Sequence, residues 1–367
     1  GGQALPGTAK GHAALAAVTG AADARAIWDM TLEGQRMMRE RIARHAIDCD
    51  WTDGFMTVAA KPRQFAELED EQRTLEGLGY AGTRLLDRAA LREVVRSERY
   101  HGGLYDPHAG HLHPLRYTLG LARACAAAGV RMHEGTQVTG YSRSGGRVHV
   151  RARSGGDGSG TAPGHIVELR CRHLLLAGNA YLGSLSPRLQ RRIMAIGTYI
   201  VATEQLGERR CRDLIANNAA VCDLNWVLDY FRCSSDHRLL FGGRVSYAGI
   251  ERLEVADSMR ERVQRVFPQL EGVRTEYNWG GYVDITMNRA PDFGRLADDV
   301  WYLQGFCGHG VVLSQIAGRL AAEAIAGTAG RFDVFARIPH RNFPGGMLLR
   351  RPTLVLAMLW YRLRDLL

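Results

Sequence analysis

The residues best suited to chemistry lie in a few short stretches. Gly305-Phe-Cys-Gly308-His-Gly310 stands between an apolar run, Val300–Gln304, and a helical pattern over 311–326. Glycines let a backbone approach a ligand closely, and the first turn of a helix offers unpaired N–H groups with about half a positive charge, so an electron-rich group is expected there. A plain packing turn is the alternative. His108, His111 and His113 have ligand-like spacing, but Pro114 marks a helix start and a capping loop is the simpler reading, so no metal is expected. Asp229-Tyr-Phe-Arg232 and Trp279-Gly-Gly281 are dense in aromatic and polar groups on expected strands, where such residues also serve as core and edge. Gly77-Leu-Gly79-Tyr-Ala-Gly82 matches GxGxxG, yet it follows a charged helical stretch over 67–76. A dinucleotide turn needs an apolar strand to deliver its glycines to a helix, so this match reads as a helix-ending loop.

The elements that must position these groups are legible from periodicity. Ile27, Met30, Met37, Met38 and Ile42 recur at helical spacing opposite Glu33, Arg36, Arg39 and Glu40, which predicts a long amphipathic helix over 22–45. A strand over 55–60, a helix opened by Pro62 and a short helix capped by Asp87 follow. Residues 102–114 read as a Gly/His-rich loop and 115–128 as a helix. Strands are expected over 131–134, 137–141, 147–153 and 166–169, with 154–164 as a flexible hairpin tip. The wholly apolar stretch 174–177 reads as a strand buried in a parallel sheet. Residues 195–290 read mostly as strands of an antiparallel sheet, at 197–203, 226–233, 239–243 and 275–281, with a helix over 254–267.

Composition narrows the class. The chain has 367 residues, 46 % apolar and 23 % charged, as expected of a folded soluble protein of about two domains. Its net charge of +9 is almost all arginine, because Lys10 and Lys61 are the only lysines. Those arginines form no basic run, which argues against nucleic acid. The seven cysteines include no CxxC pair, so neither a zinc site nor a disulfide framework is expected and a reducing, cytoplasmic compartment is the plain reading. No stretch reads as a signal peptide or membrane span. The apolar tail from Pro352 to Leu367 is expected to pack on the fold rather than on a membrane.

Taken together, several ordered stretches resemble the family of FAD-dependent amine and amino-acid oxidases that includes D-amino-acid oxidase, glycine oxidase and sarcosine oxidase. They are Gly1-Gly-Gln3, 39–50, Gly110-His-Leu-His-Pro114, Ala177-Gly-Asn-Ala-Tyr-Leu-Gly183, Leu228-Asp-Tyr230, Leu240-Phe-Gly-Gly243, Phe267-Pro-Gln-Leu270, Gly308-His-Gly-Val311, Arg331-Phe-Asp-Val-Phe335 and Phe343-Pro-Gly-Gly346. The resemblance implies an α/β plus α+β fold. A FAD-binding domain with a parallel sheet spans 1–30, 109–192 and 290–335, a substrate domain with a large mostly antiparallel sheet spans 31–108 and 193–289, and 336–367 is a tail. It places Gly1, Gly2 and Gln3 beside the isoalloxazine, Val138 at the adenine, and Ala177 and Gly178 at a second dinucleotide-side strand end. Gly308, His309, Gly310 and Val311 then form the turn that aims a helix at the flavin pyrimidine, and Tyr230 and Arg232 are the expected substrate contacts.

Members acting on α-amino acids commonly carry an arginine soon after a Trp-x-Gly strand, but here the residues are Trp279-Gly-Gly-Tyr282-Val-Asp284. The implied substrate is therefore an amine with no adjacent carboxylate, such as gamma-glutamylputrescine, with oxygen as acceptor and with aldehyde, ammonia and hydrogen peroxide as products. The family opens with a strand–GxGxxG–helix unit that has no counterpart ahead of Gly1, so a non-catalytic fragment is the alternative expectation, as is an oxidase of another amine or amino acid.

Overall fold

Polar and apolar side chains alternate along the strands that carry the candidate site, and the sheet they form divides a packed face from a functional one. The computed structural model describes residues 1–155, 164–246 and 252–344. The centre of the expected hairpin tip, 156–163, and the tail from Pro352 lie outside the described residues.

In chain order the strands are β1 (Gln3–Ala4), β2 (Thr52–Val58), β3 (Arg84–Asp87), β4 (Gly102–His111), β5 (Thr136–Ser144), β6 (Arg147–Ser154), β7 (His165–Cys171), β8 (Leu174–Leu176), β9 (Ile193–Thr203), β10 (Ala220–Asp223), β11 (Tyr230–Cys233), β12 (Leu239–Ser246), β13 (Thr275–Thr286), β14 (Asp292–Ala297) and β15 (Val300–Gln304). A nine-stranded sheet runs β1-β4-β2-β10-β11-β12-β9-β13, with β3 also on β4. Its pairs are antiparallel apart from β2 with β10. A small sheet, β14-β15-β8, carries the parallel pair β15–β8 in which Tyr302 faces Leu176. The meander β5-β6-β7 makes a third.

Strand β11 shows how the large sheet is built. Phe231 and Cys233 enter a core with Met56, Val221, Phe241 and Phe267, while Tyr230 and Arg232 point to the opposite face. Phe231 stacks on Phe241 at 5.5 Å and meets Phe267 edge-on at 5.0 Å. Each such buried side chain contributes about 1.5–3 kcal/mol, which anchors the strand from behind. A second core lies between helices Ala21–Arg44 and Gly310–Ile325, where Ile27 and Met30 meet Ile316 and Leu320 beside Trp301 of β15. Gly34 lets the two helices close up, since a Cβ there would stand 3.2 Å from Val312 O.

The helices over 22–45, from Pro62 and after Asp87 form as expected, and Asp87 Oδ1 accepts the Ala90 N–H at 2.8 Å as a cap. Three expectations are corrected. The expected loop over 102–114 is largely strand β4. Its glycines are sites of close approach, for a Cβ on Gly110 would lie 2.5 Å from Thr52 O. The stretch 131–134 is a coil-and-turn approach to β5, and 226–229 is a loop held by side chains rather than the start of β11.

Candidate active site

Residues 1–3 cross the edge of the large sheet. Gln3 pairs with His111, the Leu112 N–H donates to Gly2 O at 2.9 Å, and Gln3 Nε2 donates to Val221 O at 3.1 Å. Gly2 has φ +77°, and a Cβ there would fall 2.1 Å from Leu112 O, so only glycine fits this approach. Arg232 holds the loop from the sheet face: it donates to Gly1 O at 2.8 Å, Leu112 O at 3.0 Å and Cys233 O at 3.2 Å. The guanidinium is 6 % exposed, and burial lowers its pKa to about 10, so it stays charged in the neutral range.

Tyr230 lies beside it. A Cβ on Gly1 would stand 3.4 Å from the Tyr230 ring and one on Gly242 would stand 2.1 Å from it, so two glycines leave the slot the ring fills. Burial raises the phenol to about 12. Its hydroxyl has no hydrogen-bond partner among the described residues. The register Tyr230–Gly242–Ile200–Trp279 puts Trp279, 44 % exposed, on the same face. Loop 223–229, which leads into Tyr230, is pinned from below. Asp223 accepts the N–H groups of Asn225 and Asp229, each at 3.1 Å, and Asp229 accepts Arg262 Nε at 2.6 Å.

The glycine turn follows β15. Gly305 and Gly308 have φ +80° and +83°, and nothing lies within 4 Å of a Cβ built on Gly308. The helix that begins at Gly310 has no side-chain cap, so its first N–H groups are open to a ligand. His309 Nε2 donates to Pro6 O at 2.9 Å, which assigns the proton to that nitrogen, and burial keeps the ring neutral. Val311 and Val312 pack with Ala4 and Leu112. The turn and the first loop therefore meet at residues 4–6.

Asp284 is a support of the glycine turn that the sequence reading missed. It is fully buried, its carboxylate accepts the Gly305 N–H, and its carbonyl accepts the Cys307 N–H at 3.0 Å. Burial raises its pKa, opposed by those backbone donors. The available signal was the one charged residue in 277–286, the part of β13 after Glu276.

The structure thus joins Gly1, Gly2, Gln3, Tyr230 and Arg232 directly, and brings Gly308, His309, Gly310 and Val311 to them through Pro6 and Ala4. Ala177 and Gly178 leave β8 at the end of the parallel pair where β15 enters the turn. Val138 stands 40 % exposed on β5, in a different sheet. Of the histidines, His113 Nδ1 accepts the Arg116 N–H at 3.4 Å as a helix cap, while His111 and His108 meet the carbonyls of Asn218 and Ala81.

A bare helix N-terminus, an open positive-φ glycine beside it and a second glycine loop near it suit a flat ring with a carbonyl edge that gathers negative charge on reduction, so the residues present fit the isoalloxazine end of a flavin. Together with the mostly antiparallel sheet, this is the arrangement expected of a flavin-dependent oxidoreductase. Residues 2–324 match the DAO family of FAD dependent oxidoreductases, and the chain belongs to that family. It is 41 % identical over 343 residues to gamma-glutamylputrescine oxidoreductase of Escherichia coli, covering 93 % of this chain and 78 % of the relative. It is 35 % identical to the probable oxidoreductase OrdL of Haemophilus influenzae, over 100 % and 82 %. Glycine oxidase of Bacillus cereus shares the fold, with a TM-score of 0.69 at 17 % identity over 86 % and 85 % of the two chains. FAD is the family's cofactor. No helix among the described residues is long and apolar enough to cross a membrane.

Proposed function

We propose that the protein oxidises a primary amine bearing no carboxylate on the reacting carbon, gamma-glutamylputrescine or a close analogue, with oxygen as final acceptor, as a cytoplasmic enzyme of diamine breakdown. The observation that carries this reading is the use of Arg232: the arginine beside Tyr230 gives three of its five N–H groups to backbone carbonyls and is 6 % exposed, which suits holding a loop rather than clamping a substrate carboxylate. The similarity to the E. coli relative supports the same substrate class.

FAD, when bound, would supply a two-electron acceptor for oxidation of the amine to an imine, whose hydrolysis gives aldehyde and ammonia, with oxygen taking the electrons as peroxide. The chain's residues orient and shield. Arg232 fixes the Gly1–Gln3 loop, and the helix N-terminus after His309 favours negative charge beside it. Tyr230 presents a neutral hydroxyl towards the substrate. In this reading segments 1–30, 109–192 and 290–335 hold the cofactor, with Val138 at the adenine and Ala177 and Gly178 at its dinucleotide side, while 31–108 and 193–289 supply the substrate face.

The test is peroxide release by the FAD-loaded protein over a panel of amines. Gamma-glutamylputrescine should be oxidised faster than glycine or any D-amino acid. Preference for a free α-amino acid refutes the reading.

A further inference from the structure

A cavity of about 180 Å³ opens between the helix Ala21–Arg44, the loop after Ala4 and the strands β2 and β4. Resting on the proposed amine oxidation, we propose that it is the subsite for the far end of the substrate, and that it takes an acyl-amide group: a carbonyl acceptor followed by an end that carries an ammonium group.

Position is the first argument. Thr57, in the cavity wall, pairs with Cys222, which pairs with Tyr230, so cavity and candidate site share one face of one sheet. Two strand spacings of about 4.8 Å put them about 10 Å apart. From the reacting carbon of an N-acylated four-carbon diamine to its carbonyl oxygen is a run of six bonds. Extended, that run covers about 7 Å at roughly 3.5 Å per three bonds, about 3 Å less than the strand separation, so with the amine by Tyr230 the acyl group comes to the near edge of the cavity and the atoms beyond it extend inside. The cavity is also bounded by His309, next to the flavin-facing helix N-terminus.

Chemistry is the second. Trp28 and Thr83 line the cavity and are each 7 % exposed, and neither Trp28 Nε1 nor Thr83 Oγ1 has a hydrogen-bond partner among the described residues. A buried indole N–H can only donate, so it calls for an acceptor such as an amide oxygen. The lining holds two carboxylates, Asp106 and Glu71, and neither lysine nor arginine. Asp106 is committed to Tyr80 Oη and to the His108 and Ala109 N–H groups. Glu71 is exposed and has no such partner among the described residues, so it remains for an ammonium group beyond the amide. Trp28 and Tyr80 meet edge to face at 5.4 Å and keep the middle of the cavity apolar, as an alkyl chain requires.

The experiment compares N-acetyl-1,4-diaminobutane with pentylamine on the FAD-loaded protein and on Trp28→Phe and Thr83→Val. Loss of one neutral hydrogen bond should raise KM for the acylated diamine about 3- to 10-fold, with kcat and the KM for pentylamine unchanged. Equal changes for both amines, or none, overturn the subsite. A second readout separates this from failure of the oxidase reading. The indole N–H resonance of Trp28, identified by its loss in Trp28→Phe, should shift when N-acetyl-1,4-diaminobutane is added, whether or not the amine is oxidised. A resonance that stays fixed at saturating ligand overturns the subsite, whereas turnover of no amine at all overturns only the oxidase reading.

Discussion

Replacing Gly2 by alanine tests the first loop most directly. The new Cβ would stand 2.1 Å from Leu112 O and 3.1 Å from Pro114 Cδ, against backbone and a proline ring that cannot rotate away. Reaching an ordinary C···O contact of about 3.3 Å requires the loop and residue 112 to part by about 1 Å. An L-residue at φ +77° adds about 1–2 kcal/mol, and weakening the 2.9 Å bond from Leu112 N–H to Gly2 O adds about 1 kcal/mol. We expect Gly2→Ala to lose about 2–3 kcal/mol in urea unfolding, to take up FAD more weakly, and to reduce its flavin with substrate up to about 10²-fold more slowly, the usual consequence of misplacing a reacting partner by 1 Å. The assays are urea titration, FAD titration by flavin fluorescence and anaerobic stopped flow. Unchanged urea midpoint and FAD affinity would refute the reasoning, because the clash is with fixed atoms.

Other outcomes follow from the same geometry. Gly318, exposed inside the helix Gly310–Ile325 with open space around a Cβ, should as Gly318→Ala stabilise the protein by about 0.5–1 kcal/mol with no effect on the flavin. Asp223 is raised from its usual 3.8 to about 7 by burial and by Asp229. Between those values the folded state holds a proton that the unfolded state releases, so this group's contribution to stability falls as pH rises from about 4 to 7. Asp223→Asn should flatten that part of the pH–stability curve, and an unchanged slope would show that Asp223 is ionised throughout. An alkylamine titrates near 10.4 like a lysine, and only its neutral form gives up a hydride readily. Flavin reduction at subsaturating amine should therefore climb from about pH 6 to 10, and a flat profile would contradict amine oxidation.

Long helices were legible in the sequence because their periodicity is local. Ile27, Met30 and Met38 fall on one face whatever they meet, and they are 1 %, 5 % and 0 % exposed. The parallel pair was legible for a similar reason, since an uncharged apolar run such as 174–176 has few other places to go. Strand β4 was not, because glycines that signal a loop in isolation serve here as crossing points for Thr52 and Trp51, which only the partner strand reveals. The family stretches marked Gly1–Gln3, Tyr230 and the 308–311 turn as functional, and the structure brings them together. The commitment of Arg232 stayed hidden, because its acceptors are carbonyls at 1, 112 and 233, and a carbonyl belongs to every residue. Asp284 was hidden likewise, its partners being backbone N–H groups.

That three-way hold by Arg232 sets a schedule for the growing chain. Gly1 and Arg232 are 231 residues apart. At about 5–20 residues per second, the ribosome adds Arg232 about 10–50 s after Gly1. For that interval the Gly1 carbonyl, and that of Leu112 once it is made, lack the Arg232 guanidinium, and β11, whose buried side anchors the sheet, does not yet exist. The glycine loop can be held in its final place only once most of the large sheet has been made, so whatever that loop positions is positioned late in folding.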